Sequence, residues 1–421
     1  MDIRRIRLDC QGILTQDPKG QVSRIPLTLE QCNIISKDPM LKSYEIRKLL
    51  ERNLPGWNLN TGDLQMEVHL ESSPFLSHPV RIYYEIEESC PLECSFCVPR
   101  SSGVREHVDE CFLLEAICQS GAFQVQLTGG EVFLRGYRLI PLLEKISDMG
   151  LAVILSTSGI WRNIPDKKGF AQELSRQSHI VQIKLSIEGP AEIHDSLRGK
   201  GNYAETLDTL KILSETGFKL RINQTLFRRN CSQDCLEHMV ALAERYNASL
   251  QLVPLRPIGS VANNYCNEQP TSNQLLSLHR KVSEIRNQKN LRIKINFDYH
   301  DPNRNVPDDL LDYREIYDAK AGPRCSAAVL GVHMDASGNI YPCGFVATEP
   351  KFLAGRVSET TNLLDIWRES EVLRQIRKIE TPKDCRDCLH FTQGCAGGCW
   401  VMRWAKAGSL TALDPYCTRE H

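Results

Sequence analysis

A chain of 421 residues that is 41% hydrophobic and 24% charged has the apolar content to build two or three cores, which excludes wholesale disorder. Its 51 Lys and Arg against 52 Asp and Glu leave no global field to steer it toward nucleic acid or an anionic membrane. The longest apolar runs, such as Leu151–Leu155, fall far short of the roughly 20 residues of a spanning helix. Met1–Arg7 lacks the apolar segment of about 7–15 residues that follows a signal peptide's basic start, so a cytoplasmic protein is expected.

In residues 1–75, Ile3–Leu8 and Val22–Leu27 flank Asp17-Pro-Lys-Gly20 as in a hairpin, and Leu41–Arg52 has helical periodicity. A small separate α+β module is expected there. From Val80 to Phe297 short β-rich runs alternate with helical patterns, the rhythm of βα units. The strand candidates are Val80–Ile86, Phe123–Thr128, Ala152–Thr157, Ile180–Ile187, Lys219–Leu226 and Ser249–Pro254, with Leu291–Phe297 as a possible addition. Several are nearly continuous apolar runs, as for parallel strands buried on both faces.

Between them Leu236, Met239, Val240 and Ala243 mark one face of a helix, and Gly217 stops a helix over Tyr203–Thr216. The fold class is therefore α/β, and six such units over residues 76–297 suggest an open or closed (β/α) barrel with its chemistry on loops at the strands' C-terminal ends. Residues 298–320, which open with a run rich in Asp, Asn and Pro, read as a linker, and 321–421 as a cysteine-rich extension. The 17 cysteines of a cytoplasmic chain stay reduced, so metal binding or catalysis explains them better than disulfides.

Just after the first barrel strand comes Cys90-Pro-Leu-Glu-Cys94-Ser-Phe-Cys97. Three thiolates can ligate an iron–sulfur cube and leave its fourth iron open for substrate or cofactor; the alternative, a structural zinc, normally asks for four ligands. This motif, with Phe96 before its last cysteine, resembles the CxxxCxxC signature of the radical S-adenosylmethionine (SAM) superfamily, in which the open iron chelates the amino and carboxylate groups of SAM. Thr128-Gly129-Gly130-Glu131 resembles that family's Gly-Gly-Glu motif, which holds the methionine amino group, with glycines that let backbone approach a ligand.

Lys184-Leu-Ser186-Ile-Glu-Gly189 and Arg198-Gly199 resemble the Ser-Leu-Asp-Gly and Arg-Gly segments of peptide-modifying members. The resemblance thus makes Phe96, Gly129, Gly130, Glu131, Ser186 and Arg198 cofactor-binding candidates, with Ser186 and Arg198 suited to a ribose or a carboxylate. Val132, Glu188 and Ser156-Thr-Ser-Gly159 depart from the usual Pro, Asp and Thr-Asn-Gly. His194, in a His-Asp pair common among relatives, reads as packing or pocket wall.

The extension runs Cys325-x12-Gly338-x4-Cys343 and Cys385-x2-Cys388-x6-Cys395-x3-Cys399-x17-Cys417. It resembles the SPASM domain, which binds two auxiliary [4Fe–4S] clusters, with a gap of six residues where five is usual; a pair of zinc ribbons is the alternative. The resemblance gives Cys385, Cys388, Cys395 and Cys417 to an outer cluster, and Cys325, Cys343 and Cys399 to an inner one. The inner cluster's fourth ligand is left open between Asp318, Cys266, water and the substrate. Ser337-Gly338-Asn339 reads as a hairpin turn that carries Cys343 back toward Cys325. Of the remaining cysteines, Cys111 and Cys118 are expected to be small buried hydrophobes. Cys231 and Cys235, at a helix start where a lowered thiol pKa is conceivable, are read as structural. Trp400 and Trp404 read as extension core.

The resemblance implies a partial (β/α)6 barrel of the radical SAM type, three [4Fe–4S] clusters and SAM, cleaved reductively to a 5′-deoxyadenosyl radical that abstracts hydrogen, with auxiliary clusters to accept an electron. An external donor such as flavodoxin or ferredoxin is implied, and no nucleic acid or membrane partner. The pattern Ser186–Gly199 and Pro254-Leu-Arg-Pro-Ile-Gly259 points to the peptide-modifying branch, a maturase that oxidises or crosslinks side chains of a ribosomally made precursor peptide. Residues 1–75 would then be a leader-recognition element that takes a precursor strand on its sheet edge, or a lid or bridge packed on the barrel. Sulfatase maturases carry Asp directly after the cysteine equivalent to Cys343, where this chain has Gly344. A small-molecule dehydrogenase and a zinc-stabilised binding module are the other readings.

Overall fold

The computed structural model describes residues 5–9, 12–16, 22–26, 65–69, 75–94, 96–98, 108–258, 266–287, 291–297, 325–388 and 397–417. Four strands make an N-terminal sheet: β1 (Arg5–Asp9), β2 (Gly12–Gln16), β3 (Val22–Pro26) and β4 (Gln65–His69), in the order β3-β2-β1-β4. Strand β2 pairs antiparallel with β3 on one side and with β1 on the other, so the expected single hairpin is a three-stranded meander; residues 17–20 lie outside the described residues. The β1–β2 pairing, with Asp9 opposite Gly12, is the one the sequence did not signal. The helical pattern at Leu41–Arg52 falls outside the described residues.

The barrel strands are β5 (Arg81–Glu87), β6 (Gln124–Gly129), β7 (Ala152–Thr157), β8 (Ile180–Ser186), β9 (Leu220–Leu226), β10 (Ser249–Pro254) and β11 (Ile295–Phe297), each parallel to the next. Helices α1 (Glu110–Gln119), α2 (Leu139–Asp148), α3 (Lys167–Ser175), α4 (Ala191–Arg198), α5 (Asn202–Ser214), α6 (Gln233–Arg245) and α7 (Ser272–Arg286) connect and cover them. Their starts follow local chemistry: Asp109, Asp166, Ser232 and Thr271 each accept a first-turn backbone N–H.

The strands alternate more than the sequence suggests. Ile82, Tyr84, Val125, Leu127, Val153, Leu155, Ile183, Leu185, Ile222, Leu250 and Leu252 join the helices' Leu113, Leu143, Phe170, Leu213 and Met239 in one apolar core. The intervening positions, among them Glu85, Gln124, Gln182, Lys184, Arg221, Gln251 and Asn296, are buried but polar. Parallel strands are indeed covered on both faces; the inner face lines a polar chamber instead of a packed apolar interior.

The sheet does not stop at β5. Strand β12 (Gly331–Met334) runs parallel beside it, and β13 (Asn339–Tyr341) and β14 (Gly355–Arg356) extend the sheet antiparallel. Gly331 permits this approach, because a Cβ there would meet the Arg81 carbonyl oxygen at 1.9 Å. The β12–β13 turn is the expected hairpin: Asp335 accepts from the Ser337 and Asn339 backbones, and Gly338 holds φ +78°. Helices α8 (Leu363–Glu369), α9 (Glu371–Arg377) and α10 (Trp400–Ala407) complete the extension, with Trp400 and Trp404 packed on Phe352.

The N-terminal sheet docks at the base of the barrel. Arg7 donates to the carbonyls of His78, Pro79 and Gly121 and lies over the Phe123 ring, while Gln16 donates to the Phe123 carbonyl at 2.8 Å. These contacts are at the N-terminal ends of β5 and β6, opposite the strand ends that lead to the first cysteines, so these anchors make the sheet a base and not a lid. Among the described residues no helix is long and apolar enough to cross a membrane.

Candidate active site

The first cysteine loop leaves β5 along a path set by the two glycines after β6. Gly130 N–H donates to the Glu87 carbonyl at 2.5 Å and Glu131 N–H to the Ser89 carbonyl at 2.9 Å. A Cβ at Gly129 would lie 2.0 Å from the Glu87 carbonyl oxygen, and one at Gly130 2.1 Å from that of Ser89. What the glycines approach is therefore the backbone entering Cys90. Past it, the Cys97 N–H closes a turn on the Cys94 carbonyl, and the three thiols feel one another's charge.

Glu131 is fully buried, and its carboxylate is filled by the chain's own donors. One oxygen accepts from Phe133 N–H and from Thr157 Oγ1 at 2.5 Å, the other from the N–H and hydroxyl of Ser158. It thus fixes the exits of β6 and β7 to each other. Burial raises its pKa against these four hydrogen bonds.

At the end of β8 a second buried carboxylate organises the opposite wall. Arg198 holds Glu188 Oε1 through Nε at 2.8 Å and Nη2 at 2.6 Å, and Thr225 N–H donates to Oε2 at 2.6 Å. The Arg198 guanidinium lies 5.3 Å from the Phe96 ring, is close enough to feel Cys94 and Cys97, and Phe96 packs edge-on to Phe227. Thus Phe96, Arg198 and the first cysteines do come together. Glu188, which departs from the family's Asp, is the partner of Arg198.

Arg198 Nη1 and Ser186 Oγ make no hydrogen bond to protein among the described residues, so both are available to a ligand. His194 is wholly buried and accepts the Glu188 N–H at Nδ1; burial, with the Arg198 charge, holds its pKa down to about 3. It is neutral packing behind the site.

Ser186, Asn223, Gln251 and Asn296 stand in register on four adjacent strands. None makes a side-chain hydrogen bond among the described residues, and the Oδ1 atoms of Asn223 and Asn296 are buried and unmet. One layer lower Lys184, Gln126 and Ser156 are tied to each other. Buried polar atoms left without a partner call for one, and a bound polar group would supply it. Sequence reasoning reached Asn223 only as a strand-end residue. The row itself becomes visible through strand register.

In the extension, Cys343 lies within electrostatic reach of Cys325 and Cys399, and Cys385 within that of Cys388 and Cys417. This grouping is the one that the resemblance to the SPASM domain implies; Cys395 lies outside the described residues. Burial pushes the Cys343 thiol up to about 12, helped by the neighbouring thiols, so loading these ligands must release protons. Among the described residues no three His, Cys, Asp or Glu side chains converge on a single metal ion. The ligands of a cube bind separate irons. Beside Gly344 is a pair that the sequence did not signal: His333 Nε2 meets Glu85 at 3.0 Å, buried on both sides, and joins the hairpin to β5.

The family model described as Radical SAM superfamily matches residues 84–241, and that of the SPASM iron-sulfur cluster-binding domain matches residues 325–389. By these matches the chain is similar to radical SAM enzymes that carry a SPASM domain. Its relatives include the mycofactocin maturase MftC of Mycolicibacterium smegmatis, 28% identical across 81% of this chain and 83% of that protein. Another is the PqqA peptide cyclase of Rhodopseudomonas palustris, 25% identical across 80% and 86%. Streptococcus suis SuiB has the same fold, both bound to S-adenosylmethionine (TM-score 0.71, 19% identity, 99% of each chain) and bound to its precursor peptide SuiA (0.70, 18%, 98% of each).

Other cysteines of this radical SAM enzyme are accounted for by burial. Cys231 and Cys235 are buried with their pKa values raised to about 12 and 11, chiefly by burial, which leaves them inert and structural. Cys111 corrects its expectation: it is exposed in the first turn of α1, beside the Lys145 side chain, while Cys118 is half-buried.

Proposed function

We propose that this enzyme is a peptide maturase that oxidises or crosslinks side chains of a ribosomally made precursor peptide. The observation that carries it is one continuous sheet that presents a three-thiol loop over a polar chamber and, through β12, brings the extension's thiols to the same barrel. The relatives named as maturase and peptide cyclase and the precursor-bound SuiB support a peptide as substrate.

In this reading Cys90, Cys94 and Cys97 hold the first of three [4Fe–4S] clusters. Cys385, Cys388, Cys395 and Cys417 hold the outer auxiliary one, and Cys325, Cys343 and Cys399 the inner one. When bound, the clusters and SAM supply a 5′-deoxyadenosyl radical and an acceptor for the electron that the substrate gives up. The protein's part is placement. The glycine backbone at 129–130 fixes the cysteine loop, and Glu131 fixes the two strand exits under it. Arg198, aimed by Glu188, offers Nη1 to a carboxylate, and Ser186 offers its hydroxyl to a ribose. The row Asn223, Gln251 and Asn296 is free to take the amides of a peptide. Module 1–75, barrel 76–297, linker 298–320 and extension 321–421 are the working parts, with a cytoplasmic one-electron donor such as flavodoxin or ferredoxin.

The test is anaerobic reconstitution followed by metal and sulfide analysis and mass spectrometry of nucleoside products. Roughly 11–12 iron atoms per chain, 5′-deoxyadenosine on adding SAM and reductant, and a co-expressed precursor lighter by two hydrogen atoms are the expected results. Zinc without sulfide, and no nucleoside, would overturn the assignment.

A further inference from the structure

Helix α10 begins directly after Cys399, and Arg403 lies one turn further on the same face, its N–H bonded to the Cys399 carbonyl. Arg403 is 3% exposed, yet its guanidinium makes no hydrogen bond and no ion pair among the described residues, and Nε is sealed and unmet. Around it are Asp414 and three cysteines, Cys399 and Cys325 of the inner set and Cys385 of the outer. Asp414 is occupied elsewhere: its oxygens accept from the Cys399 N–H at 2.6 Å and the Tyr416 N–H at 2.8 Å, and its carbonyl accepts from the Cys417 N–H. A buried cation with a bare N–H is costly unless an anion meets it. Asp414 supplies the leading charge, and the other groups placed to do so are the thiolates of both sets.

We propose that Arg403 stands between the two auxiliary clusters as their shared counter-cation and N–H donor to cluster sulfur, and so holds their reduction potentials up. This rests on the three-cluster reading above. A substrate that has lost one hydrogen atom becomes closed-shell by losing one proton, to water, and one electron, which reduces one auxiliary [4Fe–4S]2+ to [4Fe–4S]+. The reduced cluster carries one more negative charge, so a neighbouring cation and hydrogen bonds to sulfur favour it. Arg403 is a positioning residue for charge; it touches no substrate.

The experiment is an EPR-monitored redox titration of reconstituted protein in which Cys90, Cys94 and Cys97 are replaced by Ala, so that only auxiliary clusters respond. Arg403→Met is expected to lower the midpoint of at least one cluster by tenfold or more in the reduction equilibrium, about 59 mV for one electron. Arg403→Lys should recover most of it. Wild-type protein should show an exchangeable proton coupled to an auxiliary cluster by ENDOR. A midpoint unchanged in Arg403→Met with full auxiliary iron would overturn the proposal. Should that variant fail to hold iron, the wild-type ENDOR spectrum decides, and no exchangeable coupling at either cluster overturns it. Wild-type protein that holds no auxiliary iron and sulfide would overturn the three-cluster reading itself, before any Arg403 variant is made.

Discussion

Glu188 gathers the end of β8, the end of β9 and helix α4 through single atoms, and reaches the cysteine loop by way of Arg198 and the Phe96 ring. Its replacement by Gln removes the charge that Arg198 meets and leaves a buried guanidinium half-paired, which costs about 3–5 kcal/mol where the partner charge is lost outright. Glu188→Gln is expected to lower the urea midpoint and to weaken SAM binding at least tenfold by equilibrium dialysis. SAM affinity equal to wild type would show that Arg198 does not face the cofactor. Behind it, His194 has a pKa of about 3 in the folded chain against an ordinary value of about 6.5. The unfolded chain therefore binds the extra proton between these values, and stability rises with pH there: full above about 6.5, reduced as pH falls. At pH 5 the loss is about 2 kcal/mol. His194→Gln should flatten that slope in denaturation curves measured at pH 5 and 7.5.

Strands β5 to β10 were legible because apolar residues such as Ile82, Val153 and Leu250 recur between turn signals at the βα interval. Helix α6 was legible because Leu236, Met239 and Val240 share a face. The cysteine motifs were legible in spacing, and their division into sets came from the family resemblance. What could not be read were meetings between distant parts: Arg7 against Gly121, His333 against Glu85, and the register that aligns Asn223 with Gln251 and Asn296. Propensity acts over a few residues, whereas these pairings are decided by closure of the whole sheet. Gly-Gly-Glu was legible as a motif and not as a brace, since only the packed loops show what a Cβ would strike. Gly130→Ala should therefore displace the Cys90 loop, and reconstituted protein should hold less iron at the first cluster while the auxiliary iron is retained. Full iron at all three sites would contradict this.

At the scale of the molecule, the N-terminal sheet and the extension are fastened to the barrel in different ways. Among the described residues the sheet is held by Arg7 and Gln16, side chains on a few carbonyls. Arg7→Ala is expected to release residues 1–75 to limited proteolysis without loss of 5′-deoxyadenosine formation, because the anchor is at the far end of the strands from the cysteines. Loss of nucleoside formation together with intact proteolytic resistance would count against that separation. The extension, by contrast, shares the main-chain ladder of β5 and pairs residues 248 positions apart in Glu85 and His333. A ribosome adding about 5–20 residues per second needs roughly ten seconds to a minute to cover that distance. For that time the barrel's first strand is an open edge exposed to other nascent chains. Until residues 331–334 emerge, that edge is the part of the nascent chain most in need of a chaperone's cover.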